Sequence, residues 1–156
     1  MTVLTAAEFG PPGPDGLWDA ERLLLTGLRA WARCRVEHRE PARLVSEGLA
    51  SVTSDRVGAL FSAVMQAIEA GGRRALRVHC GACPGYAEDE QRLVLACGLA
   101  PIEPQMAMQL LAPLVRDAGP VVCFAAALNA ALAQEGFALP VRLSDPAPTA
   151  GLATIH

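Results

Sequence analysis

The sequence predicts an all-α, single-domain bundle of about six helices, and three observations carry that prediction. Apolar residues recur at helical spacing through most of the chain between Leu17 and Gln134. Prolines and glycines gather between those periodic stretches, where the chain must turn. The 52% apolar content comes mainly from Ala, Leu and Val, with 4% aromatic residues, a supply suited to close helix packing. A chain of 156 residues is long enough to form one core without a disulfide or a metal.

Residues 1–16 hold Pro11, Pro12 and Pro14 and read as a flexible N-terminal arm. The helical domain is expected over 17–143, and 144–156, with Pro146 and Pro148, as a disordered C-terminal tail. Asp15 and Gly16 offer an N-cap for a first helix from about Leu17 to Arg35. Leu17, Ala20, Leu24, Leu28 and Trp31 share its buried face, with Asp19, Arg22, Thr26, Arg29 and Arg33 opposite. Pro41 starts a second helix to about Ala50, with Leu44, Val45 and Leu49 as its contacts. Ser54 caps a third, whose residues Val57, Leu60, Phe61, Val64, Met65 and Ile68 form one stripe before Gly71 and Gly72 end it.

Segments 75–79 and 139–143 alternate weakly, which fits either extended loops or a short two-stranded ribbon pairing 75–79 with 139–143. A fourth helix is expected from about Tyr86 to Cys97, with Glu88, Asp89 and Glu90 in its first turn and Gly98 as its stop. Pro101 or Pro104 opens the next, which Pro113 kinks or ends before Asp117. A last helix, from Pro120 to about Gln134, is rich in alanine and uncharged. The last two helices are expected to bury the largest apolar area, at the centre or at a subunit contact.

Charge and composition exclude several function classes. A net charge of −3 lacks the basic excess of a nucleic-acid binder, and the Arg29, Arg33, Arg35, Arg39 and Arg43 cluster is interleaved with Glu37, Glu40 and Glu47, as on a solvated face. The longest uncharged run, 118–134, is too short and too polar for a membrane span. No basic n-region precedes an apolar stretch at the start, so no signal peptide is expected. The sequence also has no Gly-rich phosphate loop, nucleophile elbow or His-Glu-x-x-His helix. Five cysteines without a dense framework point to reduced thiols and a cytoplasmic location, and the all-Arg basic set to a GC-rich bacterial source.

The chemically pointed stretch is His79–Gly98, HCGACPGYAEDEQRLVLACG. Three readings of its cysteines stand open. Cys80, Cys83, Cys97 and His79 are candidate zinc ligands, with His38, Cys34 or Cys123 as other fourths. Cys80 and Cys83 have the spacing of a redox dithiol, with Arg77 and His79 as nearby cations and Glu88, Asp89 and Glu90 opposing a thiolate. In the third reading the thiols fill space between helices and carry no chemistry. The Cys-x2-Cys pair distantly resembles the site of the alkylhydroperoxidase/carboxymuconolactone decarboxylase family, which implies an upstream Glu and a downstream His. Glu69 lies upstream, but no His follows before His156, so no function is carried over. The expected function is a non-enzymatic helical interaction or regulatory protein without a cofactor, homo-oligomeric and acting on a protein partner. The alternative is a thiol-redox or zinc-binding protein using Cys80 and Cys83.

Overall fold

The computed structural model describes residues 17–81, 83 and 85–142. The expected arm, its Asp15–Gly16 cap, Leu143 and the tail lie outside these residues. Six helices follow in order: α1 (Asp19–Val36), α2 (Pro41–Ala50), α3 (Asp55–Gly71), α4 (Glu88–Leu99), α5 (Pro104–Leu111) and α6 (Gly119–Gln134).

Local chemistry sets their ends. α1 begins at Asp19, two residues later than expected, because the Glu21 carboxylate reaches back to accept the Trp18 N–H at 2.9 Å. It stops in a Schellman turn: the Arg39 N–H donates to the Cys34 carbonyl and the His38 N–H to the Arg35 carbonyl, with His38 at φ 57°. Pro41 opens α2 as expected, and the Ser54 hydroxyl accepts from Val57 N–H to cap α3. α4 runs through Gly98, which was expected to stop it. A Cβ at Gly98 would lie 2.5 Å from the Pro140 carbonyl, so this glycine admits the C-terminal segment to the helix surface. α5 ends before Pro113.

α1 packs on α2 and α4, α3 on α2 and α6, and α4 on α5 and α6. One core fills the space between them. Trp31 of α1 meets Phe61 of α3 edge to face with centroids 6.4 Å apart. α2 and α3 approach closely at Gly58, where a Cβ would sit 2.4 Å from the Ser46 carbonyl, and the Ser46 hydroxyl bonds to both the Gly58 carbonyl and Ser62.

α4 is the most enclosed helix: every residue from Asp89 to Ala100 except Arg92 is buried, whereas α6 exposes Cys123, Phe124 and Ala130. Two expectations need correction. Leu44, expected to be a contact, is 42% exposed. No 75–79/139–143 ribbon forms among the described residues, where the only β-bridge joins Gly72 to Val115. The reason is local, since the Arg77 N–H, which a ladder would use, donates to the Asp89 carboxylate at 2.7 Å.

Candidate functional site

Between α3 and α4 the described residues form no helix or strand, and buried carboxylates hold the chain in place. Asp89 and Glu90 open α4, yet both are buried, Glu90 completely. Each meets an arginine fork. Arg29 of α1 donates to Glu90 through Nε at 2.7 Å and Nη2 at 3.0 Å, and Arg74 donates to Asp89 through Nη1 at 2.6 Å and Nη2 at 2.9 Å. Backbone amides complete the shells, Ala87 and His79 on Glu90 and Arg77 on Asp89.

Arg29 also fixes the thiol loop. Its Nη1 donates to the Cys83 carbonyl at 3.0 Å and its Nη2 to the Gly85 carbonyl at 2.6 Å. The Cys83 N–H donates to the Cys80 carbonyl at 3.1 Å, closing a turn that brings the two cysteines together. Cys80 is exposed and Cys83 half-buried. The hydrogen bond with Cys80, then burial, push the Cys83 thiol above its ordinary range. Its Glu90 hydrogen bond raises Arg29 further, and the charge of Arg29 also acts on both thiols. Arg33 presses on the same turn, since a Cβ at Gly81 would lie 2.9 Å from its Nη2.

The four expected metal ligands do not converge. Cys80 and Cys83 come together; Cys97 is enclosed in the core, where burial pushes its thiol up to about 12. His79 is exposed and engages Glu90 through its backbone. Among the described residues no three His, Cys, Asp or Glu side chains gather as a metal-holding group. The expected opposition of Asp89 and Glu90 to a thiolate is offset by their arginine partners, and the cation at the thiols is Arg29 rather than Arg77 or His79. Arg29 was assigned to the solvated face of α1, and only its burial against a carboxylate 61 positions away reveals otherwise. Glu69, the acid upstream of the pair, is engaged elsewhere. It accepts from Trp31 Nε1 at 2.9 Å and from Arg35 Nε and Nη2 at 2.8 and 2.6 Å, and chiefly the Arg35 bond lowers its pKa.

Next to the loop, α1, α3 and segment 72–78 enclose a groove of about 460 Å³. Leu28, Trp31, Met65, Ile68, Leu76 and Val78 give it an apolar floor, with Arg35, Glu69 and Arg74 among its polar lining. Leu76 and Val78 hang from the segment pinned by Asp89, so groove wall and thiol loop share one set of anchors. No helix among the described residues is long and apolar enough to cross a membrane. The chain matches no family model, and neither the curated proteins nor the solved structures contain a significant match.

Proposed function

We propose that this protein is a helical regulatory module whose interaction surface is controlled by a reversible Cys80–Cys83 disulfide. One observation carries the reading: two cysteines in one hydrogen-bonded turn, one exposed, on a loop that an α1 guanidinium grips by its backbone. The exposed Cys80, as thiolate, attacks a sulfur of a low-molecular-weight disulfide such as oxidised glutathione and expels one thiolate, which takes up a proton. Cys83 then loses its proton and attacks Cys80 Sγ, releasing the second thiol; the cysteine pair loses the two electrons that the small disulfide gains. The shared anchors carry the change from the thiol loop to the groove wall, where a protein partner would sense it.

The same reading places the chain in a reducing bacterial cytoplasm as a homodimer. All five cysteines being thiols supports the first, and the uncharged outward stretch of α6 around Cys123 and Phe124 the second. The test is equilibration with glutathione buffers of graded potential, followed by alkylation and peptide mass mapping. A single intramolecular Cys80–Cys83 disulfide, forming and reversing in one two-electron step, is the expected result. Glutathione adducts on Cys80 that never resolve onto Cys83 would remove the dithiol reading.

A further inference from the structure

We propose that reduced Cys80 and Cys83 form a two-coordinate binding site for a soft monovalent metal ion, copper(I) being the representative of that class. The ligand count comes first. The two cysteines share one turn, closed by the Cys83 N–H on the Cys80 carbonyl at 3.1 Å, and among the described residues no three His, Cys, Asp or Glu side chains gather as a metal-holding group. The nearest acids of α4 are committed to Arg29 and Arg74, and Cys97 is enclosed in the core. Zinc wants about four ligands in a tetrahedron, so a bare thiol pair serves it poorly. Monovalent d10 ions accept two thiolates in a nearly linear arrangement, and soft sulfur ligands select them.

Charge is the second, independent argument. Two thiolates and a monovalent ion leave one net negative charge, whereas two thiolates and a divalent ion leave none. Arg29, whose charge Glu90 already compensates, lies on the loop's carbonyls, and the exposed Arg33 guanidinium beside Gly81 is the cation that matches an anionic complex. The hydrogen bonds from Arg29 to the Cys83 and Gly85 carbonyls hold the turn in place beforehand, so little ordering accompanies binding. On binding, two S–H protons pass to solvent and two metal–sulfur bonds form, with no electron transferred. The site goes beyond the disulfide reading and excludes it at any one moment, because a Cys80–Cys83 disulfide has no thiolate to offer.

The test uses the full chain, reduced and anaerobic, titrated against copper(I) held by the chromophoric chelator bicinchoninate, with X-ray absorption on the one-to-one complex. One ion per chain, two sulfur neighbours, and a loss of affinity of about a hundredfold or more in both Cys80→Ser and Cys83→Ser would support the site. Cys123→Ser should leave affinity unchanged, and Arg33→Gln should weaken it about twofold to fivefold, as expected for an exposed charge. The proposal is overturned by no transfer from the chelator, by binding that survives either loop substitution, or by three or more ligands around the wild-type ion. Circular dichroism confirms that the serine variants keep their helices, and the absorption measurement on wild type is independent of them. A chain that binds copper(I) but never forms the disulfide would sink the regulatory reading and leave this one standing.

Discussion

Replacing Glu90 with Gln tests whether the thiol loop hangs on one buried carboxylate. Glu90 has no exposed side-chain surface and Arg29 only 10%, so the pair is a buried one to which solvent screening scarcely applies. Its carboxylate accepts four hydrogen bonds, two from Arg29 and one each from the amides of Ala87 and His79. Gln keeps the shape but turns an NH2 group toward donors and leaves the guanidinium without its counter-charge. Breaking a buried pair from one side costs about 3–5 kcal/mol. Against a total stability of about 5–15 kcal/mol that is a large share. For a domain of this size it lowers Tm by about 10–20 °C. Urea and thermal unfolding followed at 222 nm read the loss directly. A second readout is specific to the loop: alkylation of Cys83 should accelerate in folded Glu90→Gln, because Arg29 no longer holds the Cys83 and Gly85 carbonyls in register. The double variant Arg29→Met/Glu90→Leu should recover part of the stability, since it removes the stranded charge. A Glu90→Gln chain destabilised by less than about 1 kcal/mol with unchanged Cys83 reactivity would refute the reasoning, because the pair would then be acting as a solvated one.

Four further outcomes follow from the same structure. Gly58→Ala drives a Cβ to 2.4 Å from the Ser46 carbonyl, so α2 and α3 must separate, and denaturation should report a loss of about 1–3 kcal/mol. His38→Gly relieves a φ of 57° at the end of α1 and should raise stability by about 1 kcal/mol; a neutral or negative change would show that the His38 side chain contributes something its exposure does not reveal. Burial alone would raise the Asp89 carboxyl, but Arg74 and the Arg77 amide outweigh it and leave it depressed, while Arg35 and Trp31 depress Glu69. Both contributions are therefore complete above the unfolded values near pH 4 and vanish as pH falls through the depressed folded ones, so Asp89→Asn should flatten the acid limb of the stability curve. Iodoacetamide at mildly alkaline pH should modify Cys80 before Cys83, and Cys97, whose thiol burial pushes up to about 12, only on unfolding; early Cys97 labelling would contradict its enclosure.

The helices were legible because their signals are local. Ser54 as a cap, Pro41 as a first residue and the stripe from Val57 to Ile68 each act within a few residues of themselves. The errors share a cause, which is that a distant segment decides. Gly98 reads as a stop until the Pro140 carbonyl is seen against it, and Arg29 reads as solvated until Glu90 is found beneath it. The acids of α4 were legible as dipole partners, because that effect depends only on position along the helix. Their burial was not, because it depends on which arginines the fold brings over them. A weak signal did exist: only Gln91 and Arg92 separate Asp89 and Glu90 from LVLACG, a run apolar on every side, and a helix enclosed all round leaves no solvated face for its first turn.

The ion pairs explain how an irregular loop can hold two thiols in a defined geometry. Three buried carboxylates, Glu21, Asp89 and Glu90, are each held by a forked arginine, and each pair fixes a stretch that has no hydrogen-bond ladder of its own. Arg142 ties the C-terminal segment to the start of α1, Arg74 ties the segment after α3 to α4, and Arg29 ties the thiol turn to both α1 and α4. An apolar contact would serve stability as well or better, since desolvating two charges consumes most of what their attraction returns. What an apolar contact lacks is direction. A guanidinium fork donates to a carboxylate along one line and to two carbonyls along others, so Arg29 specifies where Cys83 and Gly85 lie as well as that they are covered. Lysine carries its three donors on one nitrogen and lacks the planar fork, so it could not keep the bidentate grip on Glu90 together with both carbonyls. It follows that Arg29→Lys should keep much of the charge pairing with Glu90 yet loosen the turn, separating the stability of the fold from the geometry of its thiols. If that variant matched wild type in both melting temperature and Cys83 alkylation rate, directionality would not be the reason for the fork.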